Sequence, residues 1–443
     1  MEPNILRRCY ENADFEPLRE QYAQDARFDA LVPRRRVQLT GPDAIVAQLA
    51  AWWPQPGRLL RWQVDEYATG LTVEFEREVD EGRVWRQRQF LSLEDGKIAR
   101  HQVYSARPHS AGEAPPPSPL AGRLLAELGD VVAAEPLVHV GQAGGWIERV
   151  KLADGRRLVV KRVLPERDVL SRLAGLDEST EALLWQSGAL ERLPAWIDSA
   201  IIAAGRENGE TVLVMRDVSD ALVGVAGPLT REESRRFLEA LATIHQTFAG
   251  ARYDFLCPLS AYVQLLAPTT LERVVGDVDY MPKVMYVGWE VFAESAPRDV
   301  AALVAENHAR PEPLAVALES CGSSVIHGDY RAGNLGLDGD RVIVLDWGIA
   351  AQAPGVLDLA WYLFVNGWRI PATKEELIAD YREAAPDLYD DRAIELGLLA
   401  GIGWFGGLLA HELIESDAAK RQRARCELDW WCAQARAAAE RWL

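Results

Sequence analysis

Three consecutive prolines, Pro115, Pro116 and Pro117, lie inside the stretch 105–120, SARPHSAGEAPPPSPL. Each proline ring fixes φ and removes a backbone donor, so this stretch suits neither a helix interior nor a central strand. It reads as a semi-rigid tether, 105–119, and a 443-residue chain divided there needs more than one core. A first domain, 1–104, precedes the tether, and a segment about three times longer follows it, 120–218 and then 219–443. With 49% hydrophobic and 26% charged residues, long disorder outside the tether is excluded.

The first segment predicts an α+β domain. Leu6, Cys9 and Tyr10, then Phe15, Leu18 and Tyr22, recur at helical spacing, with Pro17 where a second helix would begin after Asp14. Residues 40–49 predict another helix start, with Pro42 in its first turn. The period then changes to two at Leu71, Val73 and Phe75, and turns at 80–82 and 94–97 set off the strands 85–93 and 98–104. The expectation is two or three helices followed by an antiparallel meander.

Beyond the tether, a helix at 120–128 and strands at 136–140, 146–152, 157–163 and 211–215 accompany a helical stretch, 181–192. From Leu229 the chain reads as helical, apart from a loop and hairpin around 327–347. A small β-rich lobe followed by a large helical lobe is predicted. The chemistry concentrates in Val325-Ile-His-Gly-Asp-Tyr-Arg-Ala-Gly-Asn334 and Val342-Ile-Val-Leu-Asp-Trp-Gly348. Phosphoryl transfer needs a carboxylate to take or orient a hydroxyl proton, an amide oxygen beyond it to hold a metal, and a second carboxylate to bridge that metal to phosphate oxygens. Asp329, Asn334 and Asp346 suit these roles in that order, and the five-residue step from Asp329 to Asn334 matches the kinase catalytic-loop spacing. The alternative is two hairpin loops with surface Asp and Asn.

On H-G-D-x-x-x-x-N followed by L-D-W, the segment from about 120 to 443 resembles the aminoglycoside phosphotransferase and choline-kinase-like family, a branch of the protein-kinase-like fold. The resemblance implies a bilobal small-molecule kinase that uses ATP and Mg²⁺. It makes Lys161, mid-strand in Arg156-Arg-Leu-Val-Val-Lys-Arg162, the lysine on the ATP phosphates; a snorkelling edge lysine is the alternative. Only six lysines occur against widespread arginine, so a compact ammonium is wanted there. The lysine's glutamate partner would be Glu181, with Glu178 and Glu191 as competitors. Gly144 and Gly145 would cover the phosphates through backbone N–H groups, although Gly141-Gln-Ala-Gly-Gly145 departs from G-x-G-x-x-G. Met215 and Asp217 resemble an adenine-binding hinge, or form a plain connection. Arg331 would face the γ-phosphate, or brace the loop by a salt bridge. His327 and Asp358 read as architectural, and His245 as a satisfied core histidine.

Eleven residues separate Asp346 from Asp358, and no A-P-E segment appears, which leaves little room for a peptide-holding activation segment. The acceptor is therefore expected to be a small hydroxylated molecule. Trp361, Trp368, Trp404, Trp430 and Trp431 are candidates for stacking on it or for the core, and Glu412, Glu415 and Asp429 for facing a cation or solvent.

The first segment resembles the SnoaL-like, nuclear-transport-factor-like cone fold. The carriers are Cys9-Tyr-Glu-Asn-Ala-Asp14, Tyr22-Ala-Gln-Asp-Ala-Arg-Phe28, Gly41-Pro-Asp-Ala-Ile45 and the later meander. The resemblance implies a curved sheet wrapped on a helix, an apolar pocket and a homodimer through this domain; no catalytic role is assigned to Asp14 or His101. Competing readings are a nucleotide- or metabolite-binding pseudokinase module and an isomerase or hydrolase in the cone. A net charge of −18 argues against nucleic acid as a partner. Five irregularly spaced cysteines give no disulfide framework or zinc pattern, and residues 1–8 carry no apolar signal core. The apolar run 396–410 is shorter than a membrane span and predicts a buried helix. A cytoplasmic protein with no membrane contact is expected.

Overall fold

The structure, a computed structural model, describes residues 3–32, 35–67, 69–80, 83–105, 109–110, 122–137, 146–207, 209–224, 227–275, 280–415 and 417–443. Its class is α+β. The chain forms two compact units. The first comprises Met1–Pro116 with Pro268–Ala301 and Gly406–Trp430; the second comprises Pro117–Ala267, Ala302–Phe405 and Trp431–Leu443. Most of the tether, 106–108 and 111–119, lies outside the described residues.

The first unit is built on a sheet of β1 (Tyr22–Val32), β2 (Arg35–Thr40), β3 (Leu59–Tyr67), β4 (Gly70–Asp80), β5 (Arg83–Glu94) and β6 (Lys97–Ser105), with β7 (His109–Ser110) beside β5. The order is β2-β1-β6-β5-β4-β3. The predicted antiparallel meander is present as β3-β4-β5-β6, and the structure adds β1 and β2 beyond it, with β1 parallel to β6 and antiparallel to β2. Tyr22 opens β1 rather than closing a helix. A register shift between Tyr22 and Arg27 breaks the period of two there, which hid the strand. One face of the sheet buries Phe28, Val73, Phe75, Leu91 and Val103 against Leu6, Tyr10, Ile45 and Leu49 of the helices Pro3–Asn12 and Pro42–Trp52. On the other face Leu31, Phe90 and Tyr104 pack against Val284 and Val287 of the helix Tyr280–Ser295.

A chain of polar side chains runs through this buried core. The Tyr22 hydroxyl donates to His101 Nδ1 at 2.6 Å, and His101 Nε2–H donates to Gln89 Oε1 at 3.1 Å. Gln89 Nε2 in turn donates to Tyr10 Oη at 2.6 Å and to Gln87 Oε1 at 3.0 Å. Both ring nitrogens of His101 are used in its neutral form, and burial pushes its pKa from 6.5 down to about 3. A histidine whose folded pKa is depressed contributes stability above its unfolded pKa, and that contribution is lost as pH falls from 6.5 towards 3. Denaturation at pH 5 should therefore show about 2 kcal/mol less stability from this group than at pH 7. His101→Gln should flatten that pH dependence; equal slopes in variant and parent would contradict the buried neutral ring.

The second unit holds a five-stranded sheet, β12-β13-β10-β9-β8, of β8 (Val131–Pro136), β9 (Trp146–Leu152), β10 (Arg157–Val163), β12 (Ile201–Glu207) and β13 (Glu210–Arg216). The predicted strand 136–140 meets the structure only at the end of β8; residues 138–145 lie outside the described residues. β12 escaped prediction because Ala203, Ala204 and Gly205 carry weak strand propensity. Two small sheets complete the unit. One is β11-β17-β16, of β11 (Ile197–Asp198), β16 (Leu335–Asp338) and β17 (Arg341–Val344); the other is β14-β18-β15, of β14 (Cys257–Pro258), β15 (Ser324–Ile326) and β18 (Ala351–Ala353). The apolar run 396–410 falls within the helix Asp391–Glu412, the one described helix long and apolar enough to cross a membrane, and most of that run is buried in protein.

Candidate active site

Lys161 sits mid-strand in β10, flanked by Ile147 of β9 and Leu213 of β13. Its ammonium donates to Glu181 Oε2 at 2.9 Å and to Asp346 Oδ1 at 2.6 Å. Glu181 Oε1 also accepts the backbone N–H of Asp346 at 3.2 Å, so one glutamate orients both partners. Glu181 stands in the first turn of the helix Thr180–Gln186, whose N-cap Ser179 accepts from Ala182 N–H. Glu178 faces Arg206 instead, and Glu191 lies on an exposed turn, so Glu181 is the glutamate that meets Lys161. Burial works against the Lys161 charge, but Asp346 and Glu181 overcome it and hold the ammonium well above the ordinary lysine range. For Asp346, burial works to raise the pKa. Lys161, with Arg331 and His327 further off, outweighs it and keeps the carboxyl below its ordinary value.

Asp346 has φ +66°, the left-handed region that aspartate tolerates better than most residues. Its side chain keeps 36% of its surface exposed beside the buried lysine, which leaves room for a further ligand.

The turn after β15 carries Asp329. Arg331 Nε donates to Asp329 Oδ2 at 2.8 Å, and Asn334 Nδ2 donates to the same oxygen at 3.1 Å and to the Asp329 carbonyl at 2.9 Å. The Trp361 indole N–H donates to Asp329 Oδ1 at 3.1 Å. Of the two roles weighed for Arg331, this geometry is the salt bridge, and the Asp329 charge holds the guanidinium pKa up. His327 is buried: its Nε2–H donates to the Leu345 carbonyl at 2.9 Å and its Nδ1 accepts from Asp329 N–H at 3.2 Å. It therefore ties the Asp329 turn to the strand that ends at Asp346.

The helix Val356–Asn366 aligns this loop along its length. Asp358 accepts the N–H groups of His327 at 2.6 Å and Gly328 at 2.9 Å. One turn on, Trp361 meets Asp329. At the far end Asn366 accepts from Ala332 N–H at 2.9 Å and donates to the Tyr330 carbonyl at 3.4 Å. His245 is a satisfied core histidine, and its partners tie it to the loop: its Nε2 lies 3.2 Å from Asp358 Oδ2, and its Nδ1 lies 2.8 Å from the Tyr381 hydroxyl. A side chain at Gly355 would overlap the His245 ring, so glycine there is what lets the histidine reach Asp358. The sequence offered only a lone apolar-face histidine at 245; the signal that could have found its role is the isolated Gly355 ahead of Asp358.

The remaining candidates lie elsewhere. Met215 is buried in β13, paired with Val159 and Ile201. The Asp217 carboxylate accepts from Arg149 Nε at 2.8 Å and the Ser219 hydroxyl at 2.6 Å, while its N–H donates to the Arg157 carbonyl at 3.1 Å. Gly144 and Gly145 lie outside the described residues. Trp361, Trp404 and Trp431 are buried, and Trp368 is half exposed. Glu412 and Glu415 pair with Arg423 and Lys420 within the first unit.

Asp346, Asp329 and Asn334 offer carboxylate and amide oxygens without sulfur or imidazole, the donor chemistry of a hard divalent cation such as Mg²⁺. Among the described residues no cluster of three or more His, Cys, Asp and Glu that could hold a metal ion is present.

Comparison with solved structures finds similarity to a choline kinase from Streptococcus pneumoniae, 14% identical over 69% of this chain and 96% of that one, with a TM-score of 0.42. An aminoglycoside phosphotransferase from Alicyclobacillus acidocaldarius is 15% identical over 69% of this chain and 90% of that one, with a TM-score of 0.39. Comparison with curated proteins returns no match. The family described as "Phosphotransferase enzyme family" matches residues 140–394, more than half of the chain and the whole stretch from Lys161 to Asn366. The chain belongs to the phosphotransferase enzyme family.

Proposed function

We propose that this protein is a small-molecule kinase that transfers the γ-phosphoryl group of ATP to a hydroxyl of a small acceptor. The observation that carries the reading is the bridged triad Lys161–Glu181–Asp346 in one unit with Asp329, whose two oxygens are both oriented by donors. Asp329 takes the proton of the acceptor hydroxyl as that oxygen attacks phosphorus. Trp361, Arg331 and Asn334 aim its carboxylate. Lys161 binds phosphate oxygens, and Glu181 fixes its direction. Asp346 and Asn334 would hold Mg²⁺, which when bound neutralises charge on the phosphate oxygens. Met215 and Asp217 at the end of β13, with Gly144 and Gly145, are assigned to the nucleotide, and 120–218 and 219–443 to the two lobes around it. Residues 1–104 are assigned to a SnoaL-like domain through which the protein dimerises, and the protein to the cytoplasm.

Thermal unfolding of the full chain with Mg·ADP tests the nucleotide site. Ligand at about a hundred times its dissociation constant adds roughly 2.7 kcal/mol to the unit that binds it. Asp346→Asn should remove the Mg²⁺-dependent part of the shift. No Mg²⁺-dependent shift in folded parent protein would overturn the reading.

A further inference from the structure

The first unit carries a cavity of about 360 Å³ on the sheet face opposite its main apolar core. Its floor comes from alternate residues on three adjacent strands: Thr40 on β2, Arg27 and Asp29 on β1, and Arg100 and Gln102 on β6. Its wall is one helical stripe, Val287, Glu290, Val291 and Glu294, spaced i, i+3, i+4 and i+7.

Two features of this cavity lack a partner. Arg27 and Arg100 are register partners on neighbouring parallel strands, so two cationic side chains leave adjacent positions on the same face, and like charges so placed repel. Among the described residues neither makes an ion pair or side-chain hydrogen bond. The nearby Arg36 is already paired with Asp29, at 2.6 Å, and with Glu290. Gln102 is 2% exposed, and its amide oxygen has no partner, while its nitrogen makes a 3.4 Å bond to the Tyr104 hydroxyl. Turning the amide over would only exchange which atom is orphaned. A buried amide group left unpaired is unfavourable unless something else completes it.

We infer that this cavity binds a small phosphate monoester that also carries a hydroxyl group. A phosphate monoester near −2 neutralises both arginines, whereas a carboxylate would neutralise one. The hydroxyl donates to Gln102. Glu290 and Glu294 on the opposite wall repel a second anionic group, which selects a ligand charged at one end only. The inference stands on the first unit alone and does not depend on the phosphotransfer reading.

Isothermal titration of the full chain with glycerol 3-phosphate is the test. Saturable binding is expected. Arg27→Gln combined with Arg100→Gln should weaken it at least about tenfold, the effect of losing a charged hydrogen bond. Gln102→Leu should weaken glycerol 3-phosphate but not methyl phosphate, which has no hydroxyl, and should melt no lower than the parent. No saturable binding at millimolar ligand overturns the inference, as does unchanged affinity in the double-arginine variant. Binding that survives in that variant but disappears in Lys161→Ala would place the anion at the phosphotransfer site and equally overturn it.

Discussion

Asp329→Asn is expected to lower kcat by roughly 10²–10⁴-fold, the range that a positioned general base contributes. The variant keeps the size and the carbonyl acceptor of the side chain but cannot take a proton at neutral pH. It also replaces one acceptor oxygen by an NH₂ group. Asp329 accepts on one side from Trp361 and on the other from Arg331 and Asn334, so one donor will face another whichever way the new amide turns. Arg331 loses the carboxylate that holds its charge, so a modest loss of stability should accompany the kinetic effect. Affinity for Mg·ADP should change far less than kcat, because Lys161 and Asp346 are untouched. Steady-state ADP release and a nucleotide titration on the same preparation separate the two effects. A variant that keeps a tenth of parental kcat would remove Asp329 from the base role.

The second large effect is structural. Gly328 has φ +87°, and a Cβ there would overlap the carbonyl oxygen of Ile349. Alanine is therefore strained in conformation and in contact at once. About 3 kcal/mol or more of destabilisation is expected from the two together. Relief by moving the loop would pull the 327 and 328 amides from Asp358 and the Gly328 carbonyl from the Tyr262 hydroxyl, which it accepts at 2.7 Å. Denaturant unfolding of Gly328→Ala measures the cost, and a midpoint within experimental scatter of the parent would contradict the close approach.

The short-range chemistry was legible in the sequence because spacing alone defines it: Asp329, Asn334 and Asp346 lie within eighteen residues of one another and fold into one turn and hairpin. Periodicity placed Lys161 on an apolar strand, but its pairing with Glu181 came from the family resemblance, and helix faces did not separate Glu181 from its neighbours. Contact with Asp346 separates them. Long-range partners left little local trace beyond the isolated Gly355. Nothing around His245 points to Asp358, 113 residues away. Likewise, the assignment of Pro268–Ala301 and Gly406–Trp430 to the first compact unit rests on packing between distant segments, which periodicity does not report.

The helix Val356–Asn366 touches the loop 327–334 at its start, middle and end through Asp358, Trp361 and Asn366, over about 12 Å of axial rise. Loop and helix are thus a matched casting and mould. Transplanting the loop into a relative without its helix would import the reactive groups but not their alignment, so the two segments should be inherited and engineered as one piece. Diversity aimed at a new acceptor is best spent on residues that neither member of the pair touches.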